Sequence, residues 1–408
     1  NITLLREELK KDPTNLRTLV ECVQSCMDRK ELSGYVDQIR AVLRTPEGKR
    51  DIFRAVGYQY SILAYNNQNR YEEVLSCLEE AEREMPGSYP ILVDGEGAAL
   101  VACHALGDYE GAAAHGQAWN KALADVDQGK DLTQPERYCT QYNTTGRADR
   151  SNLRSILADA LRCLGRTEEL EKVLEEIEPA MLSELRAMQI LNSVLESGCG
   201  SAFLARFWDN AMDLYREKGE DREKGKKLLD GATALFDSCF PADTQVLKQL
   251  GDRPPAQSAR LLDTWDREGA VALAEQVEDW QWIFPKAIAH VMELGLALPK
   301  AFFRRPSEQI TALAVRLMAG GGLRTVRATA IWLTRTPPPA TPMELLWALT
   351  LLESALQVEG WEKDSRLANC LMTWFRTLSV DYLCNIYNPD LLNEEDVWTL
   401  PAGRRFSW

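Results

Sequence analysis

Apolar residues recur at helical spacing along almost the whole chain, in stripes about one helix long that are broken by very short turns. In SNLRSILADALRCLG the set Leu153, Ile156, Leu157, Ala160, Leu161 and Leu164 falls at spacings of three and four, which draws a single stripe down a helix. Gly165 then ends it, as a residue that tolerates the left-handed C-cap conformation should. TEELEKVLEEIEP repeats the stripe with Leu170, Val173, Leu174 and Ile177, up to Pro179. Two amphipathic helices joined this closely form an antiparallel hairpin. No sustained period-two pattern is present anywhere, so the chain is expected to be all-α.

The hairpin recurs. Leu16, Leu19, Val20, Val23 and Met27 are followed, after DRKE, by Leu32, Tyr35, Val36, Ile39, Val42 and Leu43. Phe53, Val56, Tyr60, Leu63 and Ala64 are followed, after NQNR, by Tyr71, Val74, Leu78 and Ala81, with Pro86 closing the pair. Ile91 to Ala105 is followed, after LGD, by Tyr109, Ala112 and Ala113. Such hairpins bury their stripes only by stacking on their neighbours, which makes an α-solenoid. The regularity is interrupted near 125–150, where DVDQGKDLTQPERYCTQYNTTGRADR reads as an insertion.

Beyond residue 200 the composition shifts. Ten of the eleven tryptophans lie in 201–408 and the turn punctuation fades, although helical stripes continue, as in Leu204, Phe207, Trp208, Ala211, Met212 and Tyr215. Gly or Pro clusters at 251–258, 319–322 and 335–342 mark breaks. The expected organisation is therefore repeats over 1–200 and a degenerate helical-pair extension or bundle over 201–408.

A net charge of −14 disfavours nucleic acid and anionic membranes as partners, because phosphate binding relies on clustered Lys and Arg. No apolar run approaches the roughly 20 residues that span a bilayer. The ten cysteines are scattered singly, mostly on apolar helix faces, which fits a reducing cytoplasm.

NRYEEVLSCLEEAEREMPGS resembles the second helix of a tetratricopeptide repeat, with Tyr71, Val74, Leu78, Ala81 and Pro86 at the family's spacings. GDYEGAAAHG at 107–116 and GRTEELEKVL at 165–174 resemble the same turn and helix start. The resemblance implies a right-handed superhelix of antiparallel hairpins whose first helices line a concave groove that binds a protein or peptide. Carried over position by position, the resemblance implies that Arg17, Gln24, Gln59, Asn66, Asp94, His104, Asn152, Ser155, Asp159 and Arg162 lie on that side.

Motifs with chemical potential have plainer readings. Asp125 and Asp127 form a D-x-D pair, the metal-holding motif of glycosyltransferases, but they follow a helix rather than a strand. A calcium loop running to Glu136 would place Lys130 at its obligatory glycine. QVEDW at 276–280 has Asp279 where an acceptor-site motif needs Arg. Cys199, in SGCGS, has no neighbouring base, since His104, His115 and His290 are the only histidines. Cys22 and Cys26 share a helix face without a second ligand pair. Neither catalytic residues, a cofactor nor a metal site is expected.

The opening N-x-x-L-L-x-x-E-L-x-x-D-P-x-N-x-R-x-L, from Asn1 to Leu19, resembles the junction in Firmicutes-type family 2 glycosyltransferases where the catalytic α/β domain gives way to a tetratricopeptide-like tail. IYNPDLLNEEDVWTLP and RRFSW, between Ile386 and Trp408, resemble the end of such tails. That resemblance implies a non-catalytic C-terminal module of a bacterial enzyme, with the glycosyltransferase domain upstream in cis as one partner and sugar transfer residing there. A free-standing adaptor or peptide sensor is the alternative.

Overall fold

The computed structural model describes residues 2–26, 28–135, 141–239, 244–385, 398–399 and 405–406. Asn1, Met27, Glu136 and most of the closing stretch 386–408 lie outside the described residues. The described residues are helical, apart from turns and a two-residue antiparallel pair, β1 (Trp398–Thr399) and β2 (Arg405–Phe406), with Trp398 opposite Phe406. Two compact units divide between Asp213 and Leu214, inside α11 (Ser201–Arg216).

The first unit contains α1 (Ile2–Lys11), α2 (Leu16–Ser25), α3 (Arg29–Leu43), α4 (Arg54–Asn67), α5 (Tyr71–Glu84), α6 (Glu96–Leu106), α7 (Tyr109–Asp127), α8 (Arg147–Cys163), α9 (Thr167–Glu176) and α10 (Glu184–Ser197). Local chemistry sets the boundaries. The Asn15 side chain accepts from the Thr18 amide at 3.0 Å, Asp28 caps α3 by accepting from the Lys30 and Glu31 amides at 2.9 Å, and Asp108 does the same for Gly111 at the start of α7. Gly107, Gly165 and Gly198 follow α6, α8 and α10 with positive φ, where a side chain would be strained.

Each stripe is buried against two neighbours. Helix α2 packs on α3 and α4, α4 on α5 and α6, α6 on α7 and α8, and α8 on α9 and α10. The first helix of each pair thus touches the first helix of the next. One continuous apolar core runs from Leu16 to Ala102 through Val36, Ile39, Ile62, Val74 and Leu78. Small residues allow the closest approaches: a Cβ at Gly97 would stand 3.3 Å from both Leu153 and Trp119, and one at Gly116 only 2.6 Å from a Leu157 methyl.

The second unit holds α12 (Glu220–Cys239), α13 (Thr244–Lys248), α14 (Pro254–Asp263), α15 (Arg267–Glu275), α16 (Pro285–Glu293), α17 (Ser307–Arg335), α18 (Pro342–Ala355) and α19 (Ser365–Asn385). Two of the predicted breaks are helix starts: Pro254 and Pro342 occupy first turns, where the missing amide costs nothing, and Thr341 with Glu344 completes a capping box at α18. The third, AGGG, is a kink inside α17, with Gly322 at φ 51° and ψ −139°. Phe302 centres the aromatic core, edge-on to Trp280, Phe303 and Trp347 at 5.7, 5.0 and 4.8 Å. Trp208, in the first unit, is buried as its stripe predicts, whereas Trp374 is half-buried. Among the described residues no helix is long and apolar enough to cross a membrane.

The α7–α8 contact is the simplest to test. Gly116→Val drives two methyls into Leu157 and should lower stability by about 1–3 kcal/mol in urea unfolding; an unchanged midpoint would mean that the helices are not this close.

Candidate functional site

The ten polar positions read from the sequence separate into four groups. Arg17 and Gln24 are exposed on α2, and Arg17 pairs with Glu21 of its own helix at 2.9 Å. Gln59 and Asp94, by contrast, are completely buried. His104, Asp159 and Arg162 come together where α6, α8 and α10 adjoin. Asn66 and Asn152 are half-buried, each with a buried Oδ1 that has no hydrogen-bond partner, while Ser155 is buried and donates to the Asn152 carbonyl at 2.6 Å.

Asp94 lies in a π-helical turn, Ile91–Gly95, that leads into α6. Its carboxylate accepts from the Asn143 amide at 2.8 Å, the Thr144 amide at 3.0 Å, the Thr144 hydroxyl at 2.8 Å, Asn143 Nδ2 at 3.1 Å and Gln59 Nε2 at 2.6 Å. Gln59 Nε2 also donates to the Gln141 carbonyl at 2.9 Å. A carboxylate this deeply buried is stable only with its lone pairs filled, and here every donor but Gln59 comes from the insertion. Residues 141–144 therefore lie across the first-helix row at α4 and the π turn. The insertion is secured elsewhere by the Tyr142 hydroxyl on Asp131 at 2.9 Å, by Gln134 on the Gly87 carbonyl at 2.8 Å and by a bidentate Arg150–Asp127 pair at 2.8 Å. Asp125 and Asp127 sit in the last turn of α7, with Asp125 paired to Lys130.

At the other end of the row, His104 Nε2 donates to Asp159 Oδ2 at 2.8 Å, and Ser193 Oγ and Arg162 Nε donate to Asp159 Oδ1 at 2.9 and 3.0 Å. Arg162 reaches on to Glu196 at 2.7 Å, which Asn192 Nδ2 also contacts at 2.8 Å. The His104 bond, helped by Ser193 and Arg162 and opposed by burial, holds the Asp159 carboxyl well below the usual range. Ser193 donates its hydroxyl to the Asp159 carboxylate, whose lowered pKa makes it a weak base. This cluster is a partly exposed patch of alternating charge, suited to hydrogen bonding. Sequence reading missed Ser193, Asn192 and Glu196 because α10 was not assigned as the next first helix. The signal was present: these polar residues lie opposite the buried Ile190, Leu191, Val194 and Leu195.

A third cluster joins α6 and α7. His115 Nδ1 donates to the buried Glu96 at 2.6 Å. Hydrogen bonds to Cys103 and Glu96 push the imidazole up to about 10, while burial and the neighbouring Glu96 push the Glu82 carboxyl up. Among the described residues, no group of three or more His, Cys, Asp and Glu side chains is placed to hold a metal ion. Cys199 lies in the turn between α10 and α11. Compared with known proteins, the chain matches no family model and no curated protein.

Two outcomes follow. Asp94→Asn turns an amide towards amide donors, which should cost about 1–3 kcal/mol and release the insertion. Hydrogen exchange at the Asn143 and Thr144 amides should accelerate, and retained protection would show that something else holds them. His115 titrates in the fold above its ordinary value of 6.5, so its contribution is complete below about 6.5 and is lost as pH rises through about 10. In His115→Gln the decline in stability from pH 7 to pH 10 should be shallower than in the wild type; equal slopes would contradict the pairing.

Proposed function

We propose that this chain is a non-catalytic helical-repeat interaction module, a right-handed superhelix of tetratricopeptide-like hairpins over its first unit, and the C-terminal tail of a bacterial, cytoplasmic family 2 glycosyltransferase. In this reading it packs on the catalytic domain, presents an acceptor or mediates oligomerisation, and sugar transfer itself belongs to the upstream domain. The observation that carries the module reading is the succession of first helices, α2, α4, α6, α8 and α10, each against the next, with a polar, partly exposed cluster at the α8–α10 end. The glycosyltransferase assignment rests on the resemblance of residues 1–19 and of the closing stretch to such tails.

A specific observation also supports the alternative, a free-standing adaptor that binds extended peptides. Residues 141–144 run across this row of helices, and two of their backbone amides and one carbonyl are held by side chains of α4 and the π turn. Side chains on this side are thus already disposed to grip main chain, and the unpartnered Oδ1 atoms of Asn66 and Asn152 are two further acceptors.

The polypeptide encoded immediately upstream of Asn1 is the natural probe. Produced separately, it should bind the chain, and Arg162→Ala should weaken that binding about tenfold, with Asn66→Ala acting in the same direction. Unchanged affinity in both variants would remove the first-helix face from the account. A reading frame that starts at Asn1 would leave the adaptor.

A further inference from the structure

Arg305 stands between the turn Phe302–Arg304 and Ser307, the first residue of α17, in the second unit. Its guanidinium stacks on Phe302, with Cζ 4.9 Å from the ring centroid. Nε and Nη2 are both buried, and neither has a hydrogen-bond partner. Trp280 and Trp347, which meet the same Phe302 ring edge-on, are fully buried, and each has a buried indole Nε1 without a partner. Around one aromatic ring, four donor nitrogens therefore lack an acceptor.

This is an unusual balance. A guanidinium does not give up its proton to escape burial as a lysine can, and buried cations in folded proteins are ordinarily paired. Burial nonetheless pushes Arg305 down to about 9, with Asp279 acting against that shift and Arg316 adding to it. Asp279 is near enough to be felt but makes no bond to Nε or Nη2. Those two nitrogens share one edge of the guanidinium, the edge that meets two oxygens of a carboxylate or phosphate side by side. The first turn of α17 follows directly, and its N-cap, Pro306, supplies no side-chain acceptor to that turn.

We propose that Arg305 anchors an oxyanion-binding site in the second unit, where a carboxylate or phosphate group bridges the Nε–Nη2 edge and the open first turn of α17. Arg305 as a residue is only half-buried, while its Nε and Nη2 atoms are buried, so the proposed site requires the guanidinium to turn towards an entering anion. Arg316 adds positive potential, while Asp279 and Glu308 oppose a highly charged ligand. The site is independent of the first-helix face and of the glycosyltransferase reading.

The test uses the full chain and two probes, sodium phosphate and sodium acetate, each exchanged for sodium chloride at constant ionic strength. Arginine Nε–H resonances are followed by NMR, with Arg305→Lys identifying the Arg305 signal. The expected result is a saturable shift of that signal and a Tm rise about 2–4 °C larger in the wild type than in Arg305→Lys. A response to phosphate alone assigns a phosphate ligand, one to acetate alone a carboxylate, and one to both the shared oxyanion chemistry. In chloride, Arg305→Met should raise Tm, because it removes an unpaired buried charge. No saturable shift with either probe, an equal Tm response in wild type and Arg305→Lys, or a lowered Tm in Arg305→Met would overturn the proposal.

Discussion

A fully buried carboxylate has to be surrounded by donors, and in the first unit this requirement falls on Asp94. Its own helix cannot supply them. The π turn at Ile91–Gly95 carries the side chain at the start of α6, and the donors come from Gln59 on α4 and from Asn143 and Thr144, about fifty residues away in sequence. One side chain thereby ties together a first helix, the entry to the next and the insertion between α7 and α8. Gly95 makes room for this arrangement, since a Cβ there would stand 2.9 Å from Leu78.

The consequence for function is a division of the first-helix row. Its middle is already engaged with the chain's own backbone, whereas its α8–α10 end keeps Arg162, Asn192 and Glu196 at the surface around the buried end of the Asp159 network. In the proposed function a partner approaches that end, and the 141–144 segment illustrates the kind of main-chain contact the row makes. The second unit is built differently. Its core is a hub of aromatic rings on Phe302, and the guanidinium and indole nitrogens packed around that ring lack acceptors.

The helical class and many helix boundaries were legible because amphipathic stripes and their caps are local: Asn15, Asp28 and Asp108 cap the helices they precede, and Gly107 and Gly165 terminate others. The apolar side of each helix could be read, but the fate of its polar side could not. Gln59 and Asp94 fit the polar series as well as Arg17 does, yet they are buried, because an insertion with no periodicity of its own folds back over them. Pattern carries no information about such a return. The same limit explains Gly322, where a glycine cluster signalled a break that the backbone resolves as a kink within α17, and Arg305, which no stripe or motif distinguishes from a solvated arginine.

The central claim of the proposed function, that the first-helix row is an interaction face with its open end at α8 and α10, is tested most directly by hydrogen–deuterium exchange on the chain alone and in the presence of the domain that the proposal places upstream of Asn1. The account predicts new protection concentrated in 155–163 and 189–197, with 141–144 unchanged because Asp94 already holds it. Protection confined to α5, α7 and α9, or to the second unit, would contradict it.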